Sequence, residues 1–195
     1  ALGGSFSNTG GSLTLSGTDL ELLSNLSLSS NSAVAFDSYQ PNGLNLVLSD
    51  NSTGNISLGS ITLDSESIEV LGGTLNLAGG SVGANGLIEV GEQGNLDLQG
   101  NLTVAGTLDL NNGATTNLAG NTIDASGGKL ELAGSHGLDG ITTDNNTTLQ
   151  INSSGSISRT ASGTSTVGNL VLSQAGSSSG VSFGVDNMSL TVGGA

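Results

Sequence analysis

Four acidic residues recur at nearly equal spacing along the chain: Glu69, Glu89, Asp109 and Glu131. Each stands in the middle of a triplet whose outer residues are apolar, as in Ile-Glu-Val at 68–70. Because successive side chains of a β-strand point to opposite faces, each acidic side chain is predicted to point outward. Parallel strands lie ~4.8 Å apart, so strands stacked in register would form an acidic ladder from these four residues.

Two interpretations of the acidic ladder are open. Carboxylate oxygens are the ligands that Ca²⁺ prefers, so the first interpretation is a Ca²⁺-binding or cation-bridged face with Glu69, Glu89, Asp109 and Glu131 as the metal residues. The second is a solvated strip whose charge opposes lateral aggregation. The Gly-Gly-x-Gly-x-Asp nonapeptide of Ca²⁺-binding solenoids does not repeat here, which weakens the first interpretation. The sequence suggests no cofactor other than Ca²⁺.

A second polar series consists of Asn76, Asp97, Asn117 and Asp139. Amide side chains that stack on neighbouring strands can hydrogen-bond along the stacking axis. A structural role is therefore predicted for this series, and carbohydrate contact is the alternative.

Paired carboxylates raise the question of glycoside hydrolysis, which needs two carboxyl groups across the scissile bond. Asp64 and Glu66 lie close to Glu69 in sequence, and Glu89 lies close to Glu92. Enzymes of this kind also need aromatic or basic residues to hold a sugar, and those are few and scattered in this chain. The sequence therefore predicts that the protein is not an enzyme.

Two further candidates are a single histidine and a set of threonines. His136 lies between glycines at 134–137, so it is predicted to be an exposed corner residue. Thr103, Thr122 and Thr142 fall near one another in the repeat, but no Thr-x-Thr array accompanies them to favour ice binding.

The elements that position these residues follow from an internal period. Apolar-x-apolar triplets recur at nearly constant intervals, centred on positions 27, 47, 69, 89, 109, 131, 150, 171 and 191. Two weaker series lie between them, centred on 76, 97 and 117 and on 62, 82, 103 and 123. Alternation of period two indicates strands, and the Gly, Asn and Ser residues between them favour turns. Each period thus holds three short strands.

Three strands per period, with a corner between each, predict an all-β fold. We expect a right-handed parallel β-helix, a triangular three-strand β-solenoid of about nine to ten coils with about 20 residues per coil. No composition shift marks a linker, so residues 1–195 are predicted to form one domain, with less regular coils in 1–60 and regular coils in 61–195. The segment 38–43 contains the single proline and is predicted to be a turn or a loop.

Composition excludes several classes of partner. Lys129 is the only lysine and Arg159 the only arginine, and the formal net charge is −14. Nucleic acids and anionic membrane surfaces are bound through basic patches, so neither is an expected partner. The chain has no cysteine, which removes disulfides and thiolate metal sites. Apolar runs stay far below ~18 residues, so insertion into a membrane as a helix is not expected.

The repeat resembles a known group of proteins. The runs at 73–80 and 94–104 are similar to the β-helical shafts of bacterial autotransporter passengers and of filamentous-haemagglutinin-type exoproteins. This resemblance implies secretion, display outside the cell or on its surface, and a role in adhesion, aggregation or biofilm. The sequence departs from that group in having neither its C-terminal membrane barrel nor its amino-terminal secretion module.

The expected function is therefore structural. We expect an extracellular filament subunit or an adhesin shaft. The sequence shows no capping helix, and two explanations are open: the chain is a piece of a longer shaft, or its ends stack head to tail on neighbouring chains as a homopolymer. The alternative is a surface module that binds glycans or Ca²⁺ on a β-solenoid scaffold.

Overall fold

A computed structural model describes residues 2–8, 19–30, 34–49, 54–152, 155–159, 163–172, 181–185 and 188–192. These residues contain β-strands and turns and no helix, so none of them forms a helix that could span a membrane. The strands are β1 Leu2–Asn8, β2 Asp19–Ser30, β3 Val34–Phe36, β4 Ser38–Gln40, β5 Leu46–Leu48, β6 Asn55–Leu58, β7 Ile61–Leu63, β8 Ser67–Leu77, β9 Gly80–Val82, β10 Leu87–Leu98, β11 Leu102–Val104, β12 Thr107–Leu110, β13 Thr115–Asn117, β14 Ile123–Asp124, β15 Lys129–Leu132, β16 His136–Gly137, β17 Ile141–Thr142, β18 Thr148–Ile151, β19 Gly155–Arg159, β20 Gly163–Val167, β21 Asn169–Leu172, β22 Val181–Val185 and β23 Met188–Val192.

The main side of the fold is one sheet of parallel strands. Its hydrogen-bonded path runs β1-β2-β5-β8-β10-β12-β15-β18-β21, so each strand pairs with the strand one period later. The register follows the sequence period, because Ile68, Ile88, Leu108, Leu130 and Leu149 are successive partners. The periodic triplets are therefore strands stacked in register, and the predicted parallel β-solenoid is confirmed.

Two further sides complete each turn. The second side contains β3, β6, the C-terminal halves of β8 and β10, and β13, all paired in parallel. The third side contains the five-stranded sheet of β7, β9, β11, β14 and β17. The strand β4 lies beside β7 and pairs with the start of β2, which extends this side. The chain winds around three sides, as the three strands per period predict, and the first two sides belong to one sheet because β8 and β10 continue from one side to the other.

The solenoid has about seven turns, so the prediction of nine to ten coils is wrong. The prediction counted triplets of the main side, whereas a turn requires a strand on all three sides. The third side has seven successive described strands: the start of β2, then β4, which contacts β7, and then the five-stranded sheet that ends at β17. Beyond it, β20 and β23 form a separate two-stranded sheet that is not hydrogen-bonded to β17.

The core is a single stack of Leu, Ile and Val side chains that point inward from all three sides. Burial alternates along many of the described strands, as in β12, where Leu108 and Leu110 are buried and the residues between and before them are partly exposed. Full burial of one such side chain contributes ~1.5–3 kcal/mol. The stack therefore contributes most of the stabilisation, and no helix is needed to cover it.

One corner of the solenoid depends on a glycine. The strand β10 passes from the main side to the second side, and its register with β8 shifts between Val90 and Gln93. Gly94 follows this shift and lies opposite Gly73 of the preceding turn. A Cβ atom on Gly94 would collide with the backbone carbonyl oxygen of Val70. The close approach of the two turns at this corner therefore requires a residue without a side chain.

The segment 38–43 is only partly the turn or loop that the proline predicts. Ser38–Gln40 forms the strand β4, which pairs with β2, and the ring of Tyr39 is buried in the core. The turn itself is confined to the next residues, where the amide of Leu44 donates to the carbonyl of Pro41 over 2.9 Å. Tyr39 keeps the inward position of the repeat, which is the physical reason that the segment stays in the sheet.

Candidate functional site

The acidic ladder is present on the outward face of the main side. Glu69 pairs with Glu89, Glu89 with Asp109, and Asp109 with Glu131 in one parallel register. All four residues are partly exposed, as expected for outward-pointing positions of strands whose other face is buried in the core. Strand spacing of ~4.8 Å places each carboxylate beside the next, and like charges that lie opposite each other on neighbouring strands repel.

Neutral residues border the acidic ladder at both ends. Val47 pairs with Glu69, and Gln150 pairs with Glu131. Of the four carboxylates, only Glu89 and Asp109 have an acidic partner on both neighbouring strands. The electrostatic repulsion is therefore concentrated in the middle of the ladder.

Three of the four carboxylates have a polar partner of their own. The side chain of Ser67 donates to Oε1 of Glu69 over 3.4 Å, and Nδ2 of Asn111 donates to Oε1 of Glu89 over 3.1 Å. Lys129 forms an ion pair with Oε1 of Glu131. These contacts offset part of the repulsion around the other members of the ladder.

Asp109 is in a less favourable environment. Its Oδ1 atom is buried and has no hydrogen-bond partner. Burial, followed by the negative charges of Glu131 and Glu89, raises the pKa of Asp109 to about 6. Lys129 acts in the opposite direction but does not outweigh these effects. A carboxyl group in this position accepts a proton far more readily than an exposed aspartate does.

The predicted Ca²⁺ role of the acidic ladder stays a prediction. In the part of the chain that the structure describes, no three or more His, Cys, Asp or Glu side chains are grouped so as to hold a metal ion. The four carboxylates lie in a row, one per strand, whereas protein Ca²⁺ sites surround the ion with 6–8 oxygens. If Ca²⁺ bound to this face, the carboxylates of Glu69, Glu89, Asp109 and Glu131 would be the residues that hold it.

The second polar series is also stacked, in part. Asn76, Asp97 and Asn117 are successive partners on the second side. Nδ2 of Asn76 donates to the side chain of Ser57 on the preceding turn over 3.2 Å, which supports the predicted structural role. Asp139, the fourth predicted member, lies in a turn rather than in this run of paired strands.

Corner amides link successive turns through the backbone. Oδ1 of Asn25 accepts the amide of Asn45 over 2.9 Å, and Oδ1 of Asn45 accepts the amide of Ser67 over 2.8 Å. These bonds satisfy backbone donors where the chain leaves the sheet, and such donors are costly to leave unpaired. This chain of bonds was not predicted, although asparagine recurs one period apart at 25 and 45, which is a signal in the sequence.

Glu66, one of the paired carboxylates considered for glycoside hydrolysis, binds backbone amides of two solenoid turns instead. Its side chain is only 8% exposed. One carboxylate oxygen accepts the amides of Asp64 and Ser65 over 2.7 and 3.0 Å, and the other accepts the amide of Gly43 on the preceding turn over 3.1 Å. Glu66 therefore ties the turn after Pro41 to the next turn of the solenoid.

These bonds also decide the charge of Glu66. Burial alone would raise its pKa, but hydrogen bonds from the amides of Ser65, Asp64 and Gly43 outweigh burial and lower the pKa below its ordinary value. A carboxylate held in the ionised form by its neighbours does not serve as a general acid near neutral pH. The expectation that the protein is not an enzyme stays a prediction.

The substitution Glu66→Gln is expected to destabilise the protein by about 1–3 kcal/mol near pH 7, because an amide cannot accept three backbone donors as a carboxylate does. Since the pKa of Glu66 is lowered in the folded state, its contribution is present above the unfolded-state pKa and is lost as pH falls through the folded-state pKa. Urea unfolding at pH 7 and pH 3 measures both effects. An equal cost at the two pH values would contradict the assignment.

His136 is not the exposed corner residue that its flanking glycines predict. It lies in β16, is only 8% exposed, and pairs with Ile157 of the next turn. A ring nitrogen, Nε2, is 2.9 Å from the carbonyl oxygen of Ala133, which satisfies the polar group inside the core. His136 takes the inward position of the repeat, and the local hydrogen bond makes that position acceptable for an imidazole.

The predicted threonine set is divided between two rows. Thr103 and Thr142 each pair with Asp124, so a carboxylate separates the two threonines on the third side. Thr122 precedes Ile123 and belongs to a different position of the turn. The described threonines therefore form no continuous array.

Comparisons with protein-family models, with curated proteins and with solved structures find no match. The resemblance to autotransporter and haemagglutinin shafts thus rests on the repeat itself, which specifies a fold. Any function that this resemblance implies is a proposal.

Proposed function

We propose that the chain is a structural extracellular protein, either a filament subunit or an adhesin shaft, that assembles by end-to-end stacking of solenoid turns. In this proposal it is not an enzyme, and it supports adhesion, aggregation or biofilm formation at a cell surface. The observation that carries the proposal is the unbroken parallel path of the main sheet, along which the central triplets from Ile68 to Leu149 are paired in one register.

A turn of this solenoid is a template for another turn. Its strands direct backbone N–H and C=O groups along the stacking axis toward the turns on either side, and its core residues stack on equivalent residues. Contacts of this kind are heterologous, because the lower surface of one turn meets the upper surface of the next. A heterologous contact that does not close into a ring continues as a filament. Turns of separate chains are therefore suited to stack as turns within one chain do.

The charge distribution supports a role outside the cell as an isolated rod. The acidic ladder covers part of the main side, and the chain carries a formal net charge of −14. Like charges on the sides of two rods oppose their lateral association, whereas the stacking axis carries backbone hydrogen bonds. The absence of cysteine leaves the fold independent of disulfides in any compartment. Growth along the axis is thereby favoured over lateral clustering.

The second candidate function is a surface module that binds Ca²⁺ or glycans. The register of the acidic ladder favours the Ca²⁺ version, because it places four carboxylates in one row. Aromatic residues make up only 2% of the chain, which weighs against glycan binding by ring stacking.

Electron microscopy of the purified chain over a range of concentrations tests the proposal, with parallel samples in Ca²⁺ and in EDTA. We expect unbranched rods whose length grows with concentration in both solutions, and fibre diffraction should give a reflection along the rod axis at ~4.8 Å. The seven described turns alone would span about 34 Å at this spacing. Discrete particles of one length at every concentration would overturn the filament proposal. Rods or a raised melting temperature in Ca²⁺ alone would favour the cation-binding module.

A further inference from the structure

We infer that Asn112 is a modification site: its side-chain amide is lost spontaneously through attack by the backbone nitrogen of Gly113, which leaves a carboxylate at a corner of the solenoid. The inference goes beyond the proposed structural role, because neither a filament nor a shaft requires a chemical change in its subunits. It rests on the different surroundings of the three Asn-Gly pairs in the chain, at 42–43, 85–86 and 112–113.

The reaction is intramolecular and consumes only water. The amide nitrogen of the glycine forms a bond to Cγ of the asparagine, and the bond from Cγ to Nδ2 breaks as ammonia leaves, which gives a cyclic succinimide. Water then opens the ring, either at Cγ to give aspartate or at the main-chain carbonyl to give isoaspartate, whose backbone runs through Cβ. Glycine favours the attack because it has no side chain to shield its nitrogen. A hydrogen bond from that nitrogen opposes the attack, because the bond must break first.

Two of the three pairs hold the glycine nitrogen in a hydrogen bond. The amide of Gly43 donates to Oε1 of Glu66 over 3.1 Å. The amide of Gly86 donates to the carbonyl oxygen of Gly83 over 2.8 Å, and Gly86 is itself buried. In both pairs the nitrogen that would attack is engaged with another group of the folded protein, so the fold protects the preceding asparagine.

The pair at 112–113 lacks this protection. Asn112 and Gly113 are both exposed, at the corner between β12 and β13. Their turn is closed by the amide of Ala114, which donates to the carbonyl oxygen of Asn111 over 3.0 Å. Among the residues that the structure describes, none accepts a hydrogen bond from the amide of Gly113. The attacking nitrogen is therefore held by no described group, and both residues are open to the water that the reaction consumes.

The modification changes a contact between two turns of the solenoid. A Cβ atom on Gly134 would collide with Oδ1 of Asn112, so the Asn112 side chain lies against the backbone of the next turn. Aspartate places a negative charge at this contact, in a chain whose formal net charge is already −14. Isoaspartate also lengthens the backbone by one atom, next to a glycine whose φ of 91° fits the present turn. Both products therefore weaken the packing of the two turns at this corner.

The test is to incubate the folded protein at pH 8 in ¹⁸O-labelled water, digest it at low pH and measure the label at each Asn-Gly pair by mass spectrometry. The label distinguishes residues modified during the incubation from those modified before it. We expect Asn112 to lose its amide about tenfold faster than Asn42 and Asn85, the factor that corresponds to breaking one hydrogen bond of ~1.4 kcal/mol. Equal rates at the three pairs, or a faster reaction at Asn42 or Asn85, would overturn the inference.

Unfolding and substitution provide the controls. In urea the three pairs lose their folded contacts, so their rates should converge. Asn112→Gln should remove the labelled product at 112 and leave the rates at Asn42 and Asn85 unchanged, because the longer side chain forms a cyclic imide far more slowly. Glu66→Gln weakens the acceptor of the Gly43 amide and should accelerate the reaction at Asn42 alone. If the pattern of the folded protein persisted in urea, the difference would come from local sequence and the inference would be wrong.

Discussion

Replacing Gly94 with alanine is expected to destabilise the solenoid by about 3 kcal/mol or more, which is the upper range for overpacking a well-packed site. The added Cβ atom would collide with the carbonyl oxygen of Val70 on the preceding turn. That oxygen belongs to the backbone, so a rotamer change cannot relieve the contact. The two turns must separate at the corner, and their hydrogen bonds lengthen with them.

The matched control for this change is Gly137→Ala in β16. A Cβ atom on Gly137 would have no neighbour closer than the side-chain oxygen of Ser158 at 4.0 Å. Neither Gly94 nor Gly137 has a positive φ, so backbone strain does not distinguish the two positions. Urea unfolding followed by circular dichroism should show a change of less than about 0.5 kcal/mol for the control. Similar losses for both variants would mean that the corner is wider than described.

Replacing Leu108 with alanine is expected to cost about 2–5 kcal/mol, the range for truncating a buried leucine. Leu108 is 0% exposed and stacks between Ile88 and Leu130 of the neighbouring turns. The lost methyl groups leave a cavity that the turns above and below cannot fill, because their backbones are fixed by the sheet. The effect should therefore lie near the upper end of the range.

Leu23→Ala removes the same atoms at a position that is 71% exposed, and it should change stability by less than ~0.5 kcal/mol. Hydrogen exchange is the informative measurement for this pair, because each turn of a repeat protein contacts only its neighbours. Loss of protection in Leu108→Ala should be greatest at 87–90, 107–110 and 129–132. A loss that is uniform from β2 to β18 would show that the solenoid unfolds as a single cooperative unit.

The period of the sequence was sufficient to predict the solenoid and its main register. Apolar pairs such as Ile68 and Val70 recur with so little variation that one register buries them all, and the structure has that register. The acidic ladder follows from the same period, because an outward residue keeps its place on the face whenever its strand is in register. The period of the sequence therefore predicts which residues of successive turns stack on one another.

The number of turns was not predictable from the period alone. The same is true of the residues within a turn that depart from the alternation of apolar and polar positions. His136 and Tyr39 are polar or amphipathic residues at inward positions, and a search for alternating Leu, Ile and Val does not identify them as core residues. Glu66 is adjacent to an ordinary strand, yet its role depends on the amide of Gly43, which is 23 residues away. Such contacts depend on the path of each corner, which the sequence leaves open.

The special environment of Asp109 also required the structure. The sequence contains four similar carboxylates at nearly equal spacing, and the spacing does not distinguish their surroundings. The distinction arises because Asn111 reaches Glu89 and Lys129 reaches Glu131, while Oδ1 of Asp109 remains without a partner. The four carboxylates therefore differ in which neighbouring side chains can reach them, and not in residue type.

The constant register of the central main-sheet strands allows the gene that encodes this chain to gain or lose whole periods. Since Leu87–Val90 and Thr107–Leu110 occupy equivalent positions on successive turns, loss or duplication of the single period that separates them would join a strand to an equivalent neighbour. Unequal recombination within the repeat would then shorten or lengthen the rod by one whole layer, and every other layer would keep its partners. Length can vary among descendants of this sequence while the cross-section stays the same.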